Sequence, residues 1–133
     1  MARATAFIET AHYATSIDAG GHKIIADEPP SNGGADAGPA PYDLLLASLS
    51  ACTAITLKMY ADRKRWPLAR ATVELHFTRD AEKNEKIDRV LHLEGDLSDE
   101  QRARFADIAE RTPVTLTLKR GLPILTTLAP AGR

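Results

Sequence analysis

Between Pro41 and Pro67 the chain runs without a glycine or a proline, and Leu44, Leu45, Leu46, Leu49, Cys52, Ile55, Leu57, Met59 and Tyr60 recur through it among strong helix formers. A helix this long and apolar has to be central, with the other elements packed around it. Its start is well marked. Pro41 suits the first turn, where a missing N–H is harmless, and Asp43 sits at the positive end of the helix dipole. Lys58, Arg63, Lys64 and Arg65 gather in the last turns, and Trp66-Pro67 stops the run.

The segment before the helix, Asp27 to Pro41, holds four prolines and three glycines and is predicted to be a loop. Ahead of it, short mixed runs at 3–9 and 12–18, then Gly20-Gly21 and His22 to Ala26, predict three antiparallel strands joined by turns. Beyond the helix, Thr72 to Thr78 alternates strictly, with Val73, Leu75 and Phe77 on one face. Ile87 to Glu94 follows a charged turn, which completes a hairpin. Ser98-Asp-Glu-Gln101 is a capping box opening a helix that buries Phe105, Ile108 and Ala109 and runs to about Arg111. Thr112-Pro113 reads equally as an N-cap with its first helical residue or as the lead into an alternating strand through Val114, Leu116 and Leu118. Pro123 to Leu128 is predicted to be a final strand. The order is α+β rather than βαβ, over a single domain spanning residues 1–133.

Composition excludes several classes of function. With 44% hydrophobic residues, the 133-residue chain suffices for one core. Seventeen Lys and Arg against 18 Asp and Glu leave a net charge of -1 and no basic block, which argues against nucleic acid as a partner. The N-terminus lacks a continuous apolar stretch, and no later run is uninterruptedly apolar over the roughly 18 residues of a membrane span. The expectation is therefore a cytoplasmic protein without a membrane partner. His12, His22, His76 and His92 are scattered over predicted strands with no i, i+4 pair, so neither a metal nor another cofactor is expected.

Chemistry then rests on Cys52, the only cysteine. It cannot close a disulfide within its own chain. Leu45, Ser48, Leu49, Ile55, Thr56 and Met59 fill its helical stripe, and an apolar surround disfavours the thiolate unless a partner from elsewhere in the fold stabilises it. A small buried hydrophobe and a reactive thiol both remain open on these residues alone.

Several separated motifs in order make the chain resemble the OsmC/Ohr family of small redox proteins. They are Asp27-Glu28-Pro29, Gly33-Gly34, Gly38-Pro39, Pro41-Tyr42-Asp43-Leu44-Leu45, Ala51-Cys52-Thr53-Ala54, Gly95-Asp96-Leu97 and Thr112-Pro113-Val114 with Leu118. The resemblance implies an OsmC-like fold, antiparallel sheets around a long central helix in an intertwined homodimer, with a thiol site on that helix. Family enzymes reduce organic hydroperoxides in the oxidative stress response: one cysteine attacks the peroxide, a second resolves the sulfenic acid, and an external dithiol restores both. Cys52 stands at the attacking position. Thr112 stands where the resolving cysteine of a Cys-Pro-Val motif belongs. The glutamate expected after the helix-opening proline is Tyr42, with Asp43 one residue out of register, and no arginine lies between Arg3 and Arg63.

Two readings follow from the resemblance. One is a one-cysteine hydroperoxide reductase whose sulfenic acid is resolved by an external thiol, with Arg63, Arg111 or the Tyr42 hydroxyl as activator. The other is a non-catalytic dimer that binds an apolar small molecule, with Cys52 a structural wall residue.

Overall fold

The computed structural model describes residues 1–131, so the last two residues of the expected 1–133 domain, Gly132 and Arg133, lie outside the described residues. Strands β1 (Ala4–Phe7), β2 (Thr15–Ala19) and β3 (His22–Ala26) are followed by helix α1 (Pro41–Lys64). Then come β4 (Leu68–Arg79), β5 (Glu85–Gly95), α2 (Asp99–Ala109) and α3 (Pro113–Arg120). The chain clusters into two compact units, Met1–Ser50 with Glu74–Val90, and Ala51–Val73 with Leu91 onward.

In the first unit, β1, β2 and β3 form an antiparallel sheet in that order, with Ala4 opposite Ala19 and Thr15 opposite Ala26. Ala19 pairs directly with His22, so Gly20 and Gly21 alone make the β2–β3 turn. Their φ values of 58° and 85° are those a two-residue hairpin of this twist requires and side chains resist. The proline-rich loop that follows folds back on β3 around one buried carboxylate. Asp27 accepts backbone N–H bonds from Glu28 (2.7 Å), Ala35 (3.2 Å) and Ala37 (3.1 Å), while its own N–H donates to the Pro39 carbonyl. Bonding to the Ala37, Glu28 and Ala35 amides, led by Ala37, holds the Asp27 carboxyl below its ordinary range despite its burial. At Gly38 an added Cβ would lie 1.9 Å from the Ile25 carbonyl oxygen, so only glycine lets the loop approach β3 so closely.

The second unit holds the larger core, in which Leu57 and Ala61 of α1 pack with Leu68 and Phe105. Phe105 meets Trp66 edge-on at 5.5 Å and Tyr60 at 6.2 Å, each contact adding about 0.5–1.5 kcal/mol beyond the buried area. The α1 terminus closes as its basic tail and Trp66-Pro67 predicted. Arg65 takes a left-handed φ of 58°, and the Trp66 N–H reaches back to the Ala61 carbonyl. The capping box is present in full: the Ser98 hydroxyl accepts from the Gln101 N–H, and the Gln101 side chain accepts from the Ser98 N–H. Helix α2 ends at Ala109, two residues short of the predicted end.

Two sequence expectations change, and one that the residues left open is decided. The stretch after Thr112, open between helix and strand in the sequence, is helix, because Thr112 is extended and Pro113 supplies a pre-set first helical residue. Residues 123–128 form no strand, since no described neighbour offers them a ladder, and Leu122, Ile124, Leu125 and Leu128 stand exposed. The buried edge of α1 is Leu49, Thr53, Leu57 and Ala61; it shares only Leu49 with the stripe of Cys52, whose Ser48, Ile55 and Met59 are exposed. Apolar residues almost encircle α1, so periodicity alone does not set its phase. By length and hydropathy α1 also meets the requirement for a membrane span, a test that the core helix of a soluble fold passes equally.

Candidate functional site

Cys52 is half-buried in the fourth turn of α1. Its Sγ accepts a hydrogen bond from the Val114 N–H at 3.5 Å. Val114 is the second residue of α3, and the first amides of a helix have no carbonyl within the helix to bond. The sulfur therefore takes the place of a capping acceptor at the start of a helix. Pro113, with no N–H, leaves Val114 as the innermost available donor.

Thr112 does not cap α3 through its side chain. It is fully buried, and its hydroxyl lies 2.6 Å from that of Thr115, which in turn donates to the Ala109 carbonyl at 3.3 Å. Either hydroxyl of the pair can be the donor. This relay ties the first turn of α3 to the end of α2 and so fixes the Val114 amide that faces Cys52.

One helical turn beyond Cys52 opens a groove of about 540 Å³ in the same unit, lined by Ala54, Ile55 and Met59 of α1 and by the start of β4 from Leu68 to Ala71. Its lining is mainly apolar. The charged residues there are Lys58, paired with Asp62, and Arg70, 3.8 Å from Glu94.

Tyr42 and Asp43 belong to the first unit. Asp43 accepts the Ala40 N–H at 3.0 Å and thus caps the start of α1. Tyr42 stacks on Phe77 at 4.7 Å, and its hydroxyl accepts from Arg79 Nη2 at 3.0 Å, which leaves its own proton free to donate. Glu85 holds Arg79 through Nε (2.9 Å) and Nη2 (2.6 Å), and these bonds, with the Tyr42 oxygen, raise the guanidinium further above its ordinary range. Sequence reasoning missed Arg79. The signal was the strict alternation of β4, which places residue 79 on the face of Phe77. Arg111 is engaged by both oxygens of Asp107 at 2.8 Å, and that bonding is the main cause of the lowered Asp107 carboxyl. Among the described residues no group of three or more His, Cys, Asp or Glu gathers as a metal site would require.

A long helix carrying one cysteine, with that sulfur against the start of a later helix and strands on either side in sequence, defines a small α+β thiol protein. Residues 33–127 match the family model described as OsmC-like protein, and the chain belongs to that family. Among solved structures it is similar to an OsmC-like protein from Mycoplasma pneumoniae (TM-score 0.76, 19% identity, covering 90% of this chain and 87% of that one). An organic hydroperoxide resistance protein OsmC from Legionella pneumophila gives a TM-score of 0.66 at 20% identity, covering 90% and 89%. The organic hydroperoxide resistance protein OhrB of Bacillus subtilis gives 0.58 at 21%, covering 88% and 90%. At such identities the likeness is one of fold. The search of curated proteins found no match.

Proposed function

We propose that the protein is a one-cysteine organic hydroperoxide reductase serving the oxidative stress response in the cytoplasm. The observation that carries this reading is the Cys52 sulfur held against the Val114 amide at the start of α3. Cys52 thiolate attacks the distal peroxide oxygen, the O–O bond breaks, and the alcohol leaves with a proton. The cysteine is left as a sulfenic acid, which an external thiol resolves as a mixed disulfide and a second thiol reduces. Hydroperoxide-resistance proteins among the structural neighbours support the substrate class. The proposed working form is a homodimer. In its favour, Ile55, Met59, Ile124 and Leu125 are exposed in the single chain, a surface that a second copy would cover.

The test is intact-mass spectrometry of reduced protein after seconds with cumene hydroperoxide or hydrogen peroxide and a sulfenic-acid trap, with Cys52→Ser as control. Rapid trapping at Cys52 by the organic peroxide supports the reading. Inert Cys52 sinks it and leaves the second reading, which the apolar groove favours: a binder of an apolar small molecule in which Cys52 is structural and does not line the groove. Light scattering on the eluting protein tests the dimer.

A further inference from the structure

We infer that the Val114 backbone nitrogen is an internal resolving group for oxidised Cys52, closing a reversible sulfenamide where the chain has no second cysteine. The inference rests on the hydroperoxide-reductase reading and extends it to the fate of the sulfenic acid.

Three observations meet at this point. The Val114 nitrogen lies 3.5 Å from Sγ with its N–H directed at the sulfur, so loss of that hydrogen turns an in-plane electron pair of the nitrogen toward the atom it would bond. As the second residue of α3, Val114 has no acceptor within the helix, and losing its hydrogen breaks no helical bond; the first such bond runs from Leu116 to Thr112. The buried Thr112–Thr115–Ala109 relay holds this turn in place, so the amide stays aligned while the sulfur changes oxidation state.

The step balances without a further reagent. The organic hydroperoxide has already oxidised Cys52 to S–OH. The Val114 nitrogen then attacks sulfur, the S–O bond breaks, and hydroxide leaves with the amide proton as water. Sulfur keeps its oxidation level and is shielded from a second peroxide, which would carry it to the irreversible sulfinic acid. An external thiolate later attacks the same sulfur, breaks the S–N bond and returns a proton to nitrogen. The resulting mixed disulfide is the one the reductase cycle already passes through.

The experiment treats the reduced full chain with one equivalent of cumene hydroperoxide, without a trap, and follows intact mass under non-reducing conditions. The expected product is monomeric in mass and about 2 Da lighter than the reduced protein, the sum of one oxygen gained and one water lost. With a single cysteine, an intrachain disulfide cannot give that mass. Tandem mass spectrometry is expected to link the Cys52 peptide to the Val114 nitrogen, with dithiothreitol restoring the starting mass. A trappable sulfenic acid that persists, about 16 Da heavier with no lighter species, overturns the inference and leaves the reductase reading intact. A lighter species whose cross-link maps to a lysine side chain overturns it as well. No oxidation at Cys52 at all overturns both. Val114→Pro, which lacks the hydrogen, is expected to abolish the lighter species, and the peptide map decides the matter if that variant does not fold.

Discussion

Restoring a thiol at position 112 probes the site from the opposite direction. In Thr112→Cys the new side chain begins α3 two residues before the amide that touches Cys52 Sγ. In the reduced variant the hydroxyl that bonds to that of Thr115 is replaced by a thiol, a weak donor and acceptor, at a fully buried position, costing about 1–3 kcal/mol. Oxidation then joins residues separated by 60 positions (112 − 52), and closing a loop of that size in the unfolded chain is worth about 4 kcal/mol. The oxidised variant should therefore exceed the parent by about 1–3 kcal/mol. At roughly 4 °C per kcal/mol for a chain of this size, oxidised and reduced forms should melt roughly 15 °C apart. The assay is thermal unfolding after mild diamide treatment, with and without dithiothreitol, beside thiol titration. A folded variant that keeps both thiols through oxidation would refute the placement of α3 against Cys52. A cross-link that leaves the melting temperature unchanged would show that strain cancels the entropic gain.

Other perturbations test the frame around the site. The Asp27 carboxyl titrates below its ordinary 3.8 in the fold because three amides bond its charged form, so its contribution is complete above about pH 4 and fades as pH falls through the lower folded-state value. Asp27→Asn should lower stability at pH 7 and flatten the acid limb of a urea-midpoint profile; an unchanged limb would remove Asp27 as the organiser of the loop. Gly38→Ala pushes a methyl group against the Ile25 carbonyl and should cost about 1–3 kcal/mol or more in chemical denaturation, whereas a neutral result would show that the loop is free to lift. Leu57→Ala, at a position with 0% exposure, should lose about 2–5 kcal/mol, and a loss below about 1 kcal/mol would mean that α1 buries another edge.

Local chemistry was legible wherever it is self-contained. The Gly20-Gly21 turn, both ends of α1 and the Ser98 capping box depend on residues a few positions apart, and each formed as its residues predict. The separated motifs from Asp27 to Val114 likewise carried the family, which the match over residues 33–127 shows. Tertiary structure decided what depends on distant partners. Sequence could not phase α1, whose apolar residues surround it, so burial of Leu49, Thr53, Leu57 and Ala61 emerged only from packing and left Ile55 and Met59 exposed. Pro123 to Leu128 has strand composition, but a strand exists only where a second strand bonds it, and none of the described residues does. The amide that faces Cys52 comes from a residue 62 positions away, and it does so only because Thr112 and Pro113 start a helix there, a choice that the residues alone left open. Sequence named the sulfur, and the path of the chain through space supplied its hydrogen-bond donor.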